Sequence, residues 1–274
     1  MFSTIFYAHL SRTTLYVCNF KFIIDWHNYG YTIMEANDQN GVLVKICKIY
    51  EFLCGRWADH HFTVTQAMKL DLTAKAFINQ KNITVLYDKP GKQFRTNSRD
   101  QSEERALNSD DSNSEYTNSY MNSAHSVSKI LDRPDFENLP VIISSTSWTK
   151  DEDFGLLFDT IEGYDNTASI QRSANRSLDQ KILPKIGVII TGKGPEKQYY
   201  TKKIKNKKGG WQNVIWCLPW LEADDYPKIL KASTLGVCLH RSSSKLDLPM
   251  KVVDMLGSGL PVLALEDNYR VVLD

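Results

Sequence analysis

The stretch at residues 242–265, SSSKLDLPMKVVDMLGSGLPVLAL, constrains the fold of this chain more than any other. An apolar run at 235–239 precedes it and leads into a polar, serine-rich turn. Pro249 then stands where a helix would begin, because its fixed φ angle and missing N–H suit the first turn of a helix. Gly257 and Gly259 end that helix, and residues 260–265 form a second apolar strand candidate. This order of strand, turn, helix and strand predicts a parallel α/β sheet.

The beginning of this helix carries groups that suit a phosphorylated ligand. A helix N-terminus beside a serine-rich turn can hold a phosphate. Asp247 and Asp254 lie on either side of it, and the Asp254 carboxylate could bind sugar or ribose hydroxyls. The spacing predicts that the apolar face of the helix consists of Met250, Val253, and Leu256 or Gly257. Taken alone, the pattern also fits an ordinary βαβ unit with one capping and one solvated aspartate.

Composition narrows the class of protein. The chain of 274 residues is 42% hydrophobic and 24% charged, which is typical of a globular protein and allows two modest domains. A formal net charge of +1 gives no argument for a nucleic-acid partner. The odd number of cysteines and the absence of a CxxC pair predict buried thiols in a reducing compartment rather than disulfides or a metal site. These cysteines are Cys18, Cys47, Cys54, Cys217 and Cys238.

Two sequence features bear on membranes and secretion. No run reaches the roughly 18 to 20 apolar residues of a membrane-spanning helix. The opening at residues 1–25 is apolar but interrupted by His9, Arg12 and Lys21, and it has neither a basic start nor a small-residue cleavage site. It is therefore a poor signal peptide, and the sequence alone predicts a soluble chain.

A polar and aromatic cluster follows the first strand candidate, at residues 22–25. It reads Asp25-Trp26-His27-Asn28-Tyr29-Gly30. Ligands gather at the carboxyl ends of parallel strands, so this cluster is a candidate for chemistry. His27 could move protons, because its ordinary pKa is close to neutral. A single histidine in such a turn more often only forms a hydrogen bond, and this alternative stays open here.

The following segments predict further helices and strands. Residues 43–57 have apolar side chains at helical spacing, and we expect them to face the core: Leu43, Ile46, Ile49 or Tyr50, Leu53 and Trp57. Thr65 is a candidate N-cap for a helix at 66–77, and residues 83–86 are a strand candidate. His60 and His61 do not form a metal site, because adjacent strand residues point to opposite faces.

Residues 92–138 interrupt this pattern and divide the chain. They are rich in serine, asparagine and charged residues and contain few aliphatic side chains, so we expect a disordered insertion. Residues 1–91 then form a first α/β domain and residues 139–274 a second. The second contains strand candidates at 141–145, 186–191 and 214–218.

Two turns in the second domain are candidates for ligand binding. Ser147 and Trp148 follow the strand at 141–145, and Gly192-Lys193-Gly194-Pro195 follows the strand at 186–191. Glycine lets the backbone approach a ligand closely, and Lys193 could reach a diphosphate. Tight turns between strands and helices also use glycine for geometry alone, so this signal is weak on its own.

Several long blocks together resemble the chitobiosyldiphosphodolichol β-mannosyltransferases. They are IIDWHNYGYTIM, VLYDKP, SSTSWTKDEDF, ITGKGP, PWLEADDYP and LGVCLHRSSSKLDLPMKVVDMLGSGLPV, and they fall within residues 22–90 and 139–262. The resemblance implies a GT-B fold, with two Rossmann-like domains facing across a cleft. It also implies inverting transfer of mannose from GDP-mannose to dolichol-diphosphate-linked chitobiose, for protein N-glycosylation. It implies no metal and no other cofactor, and no nucleic-acid partner.

The resemblance also assigns roles to individual residues. His27 is the candidate catalytic base, with Asp25 as its orienting or alternative carboxylate. Lys245 departs from the small residue that the family usually has there. The residues expected to contact GDP-mannose are Ser147, Trp148, Gly192, Lys193, Gly194, Ser242, Ser243, Ser244, Lys245, Asp247, Leu248 and Asp254.

The ends of the chain and its location complete these expectations. Compared with the family, the chain is expected to be incomplete at both termini and to lack the N-terminal membrane anchor. The expected location is the cytosolic face of the endoplasmic reticulum membrane, with other early mannosyltransferases of this assembly line as partners. Two alternatives remain: a GT-B glycosyltransferase with another nucleotide sugar, and an inactive form that acts as an interaction partner.

Overall fold

A computed structural model of the chain describes residues 21–37, 39–94, 130, 136, 138–149, 152–174 and 182–265. The described residues form two compact units. The first contains residues 21–88 together with 241–249, and the second contains residues 89–240 together with 250–265. Each unit is an α/β structure built on a parallel sheet. The serine-rich turn thus groups with the first unit, although it follows a strand of the second.

The first unit is built on three described parallel strands in the order β1-β2-β3. These are β1 (Ile23–Trp26), β2 (His60–Thr63) and β3 (Ile83–Val85). Helices α1 (Gly30–Ala36) and α2 (Gly41–Gly55) connect β1 to β2, and α3 (Gln66–Ala76) connects β2 to β3. The predicted N-cap is confirmed, because the Thr65 hydroxyl accepts a hydrogen bond from the Met68 N–H at 3.1 Å.

The two adjacent histidines of β2 point to opposite faces, as predicted. His61 is buried, whereas His60 is partly exposed. The Trp26 Nε1–H donates to His61 Nδ1 at 3.0 Å. Burial, with a smaller effect of His60, lowers the pKa of His61 to about 4. His61 is therefore a neutral core residue at physiological pH.

The second unit is built on five described parallel strands in the order β6-β5-β4-β7-β8. The strands are β4 (Val141–Ser145), β5 (Ile186–Thr191), β6 (Val214–Cys217), β7 (Leu235–Cys238) and β8 (Val262–Ala264). The helices are α4 (Phe154–Ser173), α5 (Lys197–Lys205), α6 (Tyr226–Ala232) and α7 (Met250–Gly257). The strand order reverses between β4 and β7, and parallel sheets bind ligands at the carboxyl ends of strands beside such a reversal.

Some residues of the predicted disordered insertion at 92–138 are ordered. Lys92–Phe94 forms a 3₁₀ turn, and the side chains of Phe94, Ile130 and Phe136 are buried in the core of the second unit. Apolar anchors at the edges of a polar segment are enough to order those edges. The rest of the predicted insertion lies outside the described residues.

Two further findings concern thiols and hydrophobic helices. Cys47, Cys54, Cys217 and Cys238 are buried thiols, as predicted, and Cys18 lies outside the described residues.

Among the helices that the structure describes, none is both long and apolar enough to cross a membrane.

The predicted core face of α2 is wrong. Leu43, Ile46, Ile49 and Leu53 are exposed, and the side that packs inward contains Val44, Cys47, Glu51, Phe52 and Cys54. The helix is apolar on both sides, so its periodicity alone could not say which side faces the sheet.

The predicted core face of α7 is also wrong in part. Val253 is buried as expected, but Met250 and Leu256 are about half exposed, and Val252 and Met255 are buried instead. The buried face is rotated by about one position.

A buried aspartate ties α4 to the segment before β6. Asp165 Oδ1 accepts hydrogen bonds from the backbone N–H groups of Gln212 at 3.0 Å and Asn213 at 2.6 Å. Its other oxygen pairs with the Lys207 ammonium, which is also buried. Burial opposes ionisation, but the hydrogen bonds from Lys207, Asn213 and Gln212 outweigh it and lower the pKa of Asp165.

We expect Asp165→Asn to lower the free energy of unfolding by about 3–5 kcal/mol at pH 7, because it leaves the buried Lys207 charge without a partner. The folded-state pKa of Asp165 lies below its unfolded value. Its contribution is therefore present above about pH 4 and lost as the pH falls through the folded pKa. Urea unfolding of parent and variant at several pH values between 7 and 3 measures this.

The control is Asp159→Asn on the same helix, whose exposed carboxylate lies 3.5 Å from Lys203 and should contribute less than about 1 kcal/mol. A deficit of the Asp165 variant that stays constant down to pH 3 would contradict the assignment.

Candidate functional site

The predicted catalytic pair lies together at the carboxyl end of β1. His27 Nε2 and Asp25 Oδ2 are 3.1 Å apart, and the two side chains are 60% and 55% exposed. Their spacing of two residues places both on the same side of the chain. The pair is therefore open to solvent.

A third ionisable group, the carboxyl group of Asp88, belongs to this cluster and was missed from the sequence. Asp88 follows β3, whose carboxyl end lies at the same edge of the sheet as that of β1. Burial raises the pKa of Asp88, while His27 lowers it and Asp25 raises it, so the three groups are within electrostatic reach. Its place in the block VLYDKP, directly after a strand, was the signal that could have found it.

The loop that carries His27 is held by a buried glutamate of α2. The N–H groups of Gly30 and Tyr31, at the start of α1, donate to the two oxygens of Glu51 at 2.9 and 3.2 Å. Burial raises the pKa of Glu51, although both hydrogen bonds lower it. Glu51 thus satisfies N–H groups that the helix itself leaves unpaired. Sequence analysis missed this role because the partners are 20 and 21 residues away.

The serine-rich turn is organised by its own aspartate. Asp247 Oδ1 accepts hydrogen bonds from the hydroxyls of Ser242 and of Ser244, the latter at 2.9 Å. The Lys245 N–H donates to the Ser242 hydroxyl at 3.0 Å. The predicted residues Ser242, Ser244 and Asp247 are therefore together, but these hydroxyls already have a carboxylate partner within the turn.

The same turn packs on the loop that carries His27. The Ser243 hydroxyl lies 3.2 Å from the hydroxyl of Thr32 on α1. The same Ser243 hydroxyl accepts a hydrogen bond from Asn28 Nδ2 at 3.5 Å. On the other side, the Thr65 hydroxyl donates to the Leu246 carbonyl oxygen. The turn is thus fixed to the loop that carries His27 and to the residue that caps α3, and its residue Leu248 is half-buried.

Lys245 has a backbone conformation that favours glycine. Its φ angle is +59°, in the left-handed region. This gives a physical reason for a small residue at this position, and the Lys245 side chain is exposed.

In the second unit, the turns after β4 and β5 lie in backbone contact. A methyl group added at Gly192, whose φ is +128°, would lie 1.8 Å from the Thr146 carbonyl oxygen. At Gly194 it would lie 1.7 Å from the Ser147 carbonyl oxygen. Both glycines are therefore required for this approach, and the structure brings Ser147, Gly192 and Gly194 together as predicted.

Trp148 corrects one expectation. Its indole ring is fully buried and stacks on Phe154, with 4.4 Å between ring centroids. It therefore supports the turn from inside the core and does not line a ligand surface. Its neighbour Ser147 is exposed, so this turn offers its hydroxyl and backbone rather than an aromatic ring.

Two lysines place positive charge at the glycine turn. Lys193 Nζ lies 3.9 Å from the centre of the Trp220 ring, a cation–π contact. Lys197 Nζ donates to the Gly192 carbonyl oxygen at 3.1 Å. Burial, with a smaller effect of Lys193, lowers the pKa of Lys197. Lys197 was missed, although its position in the first turn after GKGP was a usable signal.

A buried glutamate connects the β4 turn to α7. Glu152 accepts a hydrogen bond from the Ser147 N–H at 3.0 Å and forms an ion pair with Lys251. Its backbone also pairs with that of His240, which follows β7. Glu152 therefore fixes the turns on both sides of the strand-order reversal. Sequence analysis missed this role of Glu152.

Asp254 lies one helical turn after Lys251, on the same side of α7. Its side chain is half-buried, and burial raises the pKa of its carboxyl group. Asp254 lies near enough to Tyr226 to influence it electrostatically. Burial and the charge of Asp254 raise the pKa of Tyr226 to about 12, whereas a hydrogen bond from Ser145 lowers it. Asp254 thus belongs to the same edge of the sheet as the β4 turn. Among the described residues, no group of three or more histidine, cysteine or acidic side chains is arranged for a metal ion.

Comparison with curated proteins finds similar proteins of one name. The chain is 40% identical to the chitobiosyldiphosphodolichol β-mannosyltransferase of Debaryomyces hansenii over 248 residues, which cover 89% of this chain and 47% of that protein. It is 40% identical to the human protein of the same name over 271 residues, covering 93% of this chain and 54% of the human one. The chain is thus similar to these mannosyltransferases over nearly its whole length. It spans about half the length of the curated relatives it matches, and no family model matches it.

Solved structures agree on the fold. Anabaena HepE in complex with UDP and glucose has a TM-score of 0.57 and 14% identity, covering 98% of this chain and 59% of that one. WaaG, a glycosyltransferase of lipopolysaccharide biosynthesis, has a TM-score of 0.53 and 11% identity, covering 92% and 59%. The expected GT-B class is confirmed for the fold.

We expect Gly194→Ala to lower the free energy of unfolding of the second unit by about 3 kcal/mol or more, because the methyl group would collide with a backbone oxygen that cannot yield. Gly163→Ala is the matched control: it lies in α4 with open space around the added methyl, so it should raise stability by about 0.5–1 kcal/mol. Urea unfolding of the three proteins measures both changes. Equal effects of the two substitutions would contradict the close contact of the turns.

We expect Glu51→Gln to cost about 1–3 kcal/mol, because an amide can accept at only one of the two positions where Gly30 and Tyr31 donate. Glu35→Gln, on an exposed residue of α1, should change stability by less than about 0.5 kcal/mol. Thermal unfolding followed by circular dichroism compares the two, and a harmless Glu51 variant would show that α1 does not need this carboxylate.

Proposed function

We propose that the protein transfers mannose from GDP-mannose to dolichol-diphosphate-linked chitobiose, with inversion, forming the β-1,4-mannosyl bond used in protein N-glycosylation. Similarity to the mannosyltransferases supports the reaction class. The observation that carries the proposal is the backbone contact of the β4 and β5 turns, at the edge where α7 presents Asp254 and where two lysines add positive charge.

In this proposal, the second unit binds the donor. The exposed Ser147 hydroxyl and the Gly192–Gly194 turn face the diphosphate, with Lys193 and Lys197 supplying positive charge. Asp254 accepts hydrogen bonds from the ribose hydroxyls. Because the lysines neutralise the leaving GDP, the reaction proceeds without a resident metal ion or other cofactor.

The first unit supplies the base. Inversion needs one group that removes the proton from the attacking hydroxyl of the acceptor. His27 takes this role in the proposal, with Asp25 holding the ring at 3.1 Å or accepting the proton itself. The serine-rich turn, with Lys245, Asp247 and Leu248, contributes sugar and diphosphate contacts.

The proposed location follows from the acceptor. A dolichol-linked substrate lies in a bilayer, so we place the protein at the cytosolic face of the endoplasmic reticulum membrane. Other early mannosyltransferases of the same assembly line are its proposed protein partners.

We expect the purified 274-residue chain to bind GDP, and Asp254→Ala to weaken that binding about 10- to 100-fold, because it removes a charged hydrogen-bond acceptor. Isothermal titration calorimetry measures this, with Asp159→Ala as a control on an exposed carboxylate of the same unit. UDP and ADP serve as comparators. Tighter binding of UDP or ADP would instead favour a GT-B glycosyltransferase with another nucleotide sugar, and no loss in the Asp254 variant would contradict the ribose contact.

We expect His27→Ala to lower kcat about 100-fold or more while GDP affinity changes less than about twofold, because the base acts on the acceptor and not on the nucleotide. His60→Ala, another partly exposed histidine of the first unit, is the control and should retain turnover. Radiolabelled mannose transfer to a chitobiosyl-diphosphate lipid gives the rates. Equal loss of turnover and GDP affinity, or no loss, would remove His27 from the base role.

A further inference from the structure

The side of α2 that points away from the core is apolar. Val42, Leu43, Ile46, Ile49 and Leu53 expose between 41% and 67% of their surface. We name these five residues the α2 outer face. The spacing of Val42, Ile46, Ile49 and Leu53, at steps of four, three and four residues, forms one continuous stripe along the helix.

This face is not a misplaced part of the core. The opposite side of the same helix already packs inward through Val44, Cys47 and Phe52, which belong to the hydrophobic core of the first unit. A helix at the edge of a globular domain normally has polar residues on its outer side. A continuous apolar stripe there marks an interaction surface.

The charges of α2 indicate what this surface contacts. Every residue of α2 is described, and within the helix its exposed or partly exposed charges are the two lysines, Lys45 and Lys48. Its one carboxylate, Glu51, is buried and accepts hydrogen bonds from Gly30 and Tyr31. Lys48 Nζ lies 4.9 Å from the centre of the Tyr31 ring. The helix therefore presents an apolar stripe beside positive charge only.

We propose that the α2 outer face lies on the surface of a lipid bilayer that contains anionic lipids. The apolar side chains enter the boundary between headgroups and acyl chains, and the exposed Lys45 extends its ammonium group to lipid phosphates. This deepens the proposed function, whose acceptor is lipid-linked, by naming the face of the first unit that meets the membrane. A second copy of the chain could cover the apolar stripe with an apolar patch of its own, but such a patch would leave the lysines without anionic partners. Anionic lipids supply both an apolar phase and negative charge, so the charge pattern favours lipid.

The test is sedimentation of the 274-residue chain with vesicles of phosphatidylcholine, with and without about 30% phosphatidylserine, and without nucleotide. We expect the parent to bind the anionic vesicles, and the double variant Ile46→Gln and Ile49→Gln to bind at least about tenfold more weakly, because two half-exposed isoleucines no longer enter the bilayer. Lys45→Gln should weaken binding to the anionic vesicles a few-fold and leave binding to neutral vesicles unchanged.

The matched control is the double variant Leu70→Gln and Ile170→Gln. Both residues lie in other helices and are 51% and 65% exposed, compared with 57% and 61% for Ile46 and Ile49. This control should bind vesicles as the parent does. Circular dichroism checks that both double variants are folded, which is expected because all four substituted side chains are largely in solvent.

A second measurement does not depend on affinity. A polarity-sensitive dye on a cysteine introduced as Ile49→Cys should shift to the blue with vesicles, whereas the same dye at Ile170→Cys should not. Several results would overturn the proposal: no vesicle binding by the parent, equal binding by the α2 double variant, or a parent dimer that this variant dissociates. GDP titration of the same samples separates the two hypotheses, because a parent chain that binds GDP but not vesicles refutes only the membrane surface.

Discussion

The backbone contact between the turns after β4 and β5 is the constraint on which the candidate donor site depends. Carbonyl oxygens of Thr146 and Ser147 occupy the space where side chains at Gly192 and Gly194 would begin. Only glycine allows this approach, and the approach in turn exposes Ser147 beside the glycine turn while Trp148 is packed into the core. A ligand at this edge of the sheet would meet backbone groups and lysines that are fixed before it arrives.

Buried glutamates hold both units in the required shape. Glu51 fixes the start of α1 and so the loop that carries His27, and Glu152 fixes the β4 turn against α7 and the segment after β7. In each case a carboxylate accepts backbone N–H groups that would otherwise be buried without a partner. A buried carboxylate offsets the cost of its desolvation only through such bonds.

The sequence predicted those parts of the structure that follow from local pattern. The strands Val141–Ser145 and Ile186–Thr191 were predicted with the bounds observed, because continuous β-branched runs between turns have few alternatives. The core face of α2 was not predictable, since both of its sides are apolar and only the tertiary fold selects one. Trp148 was misplaced and Glu51, Glu152 and Lys197 were missed for a related reason. Their environment depends on contacts with other segments, which a pattern of neighbouring residues does not contain. The pairing of His27 with Asp25, two residues apart, was within reach of the sequence and is present.

Hydrogen–deuterium exchange with and without GDP tests the central claim most directly, because it reports on the backbone of the two turns. The account predicts that GDP slows exchange at residues 146–148 and 192–194, that GMP does so much less because it lacks the second phosphate, and that β3 is unaffected by either. GDP binding that leaves both turns unchanged, or that slows exchange only elsewhere in the described residues, would contradict the account.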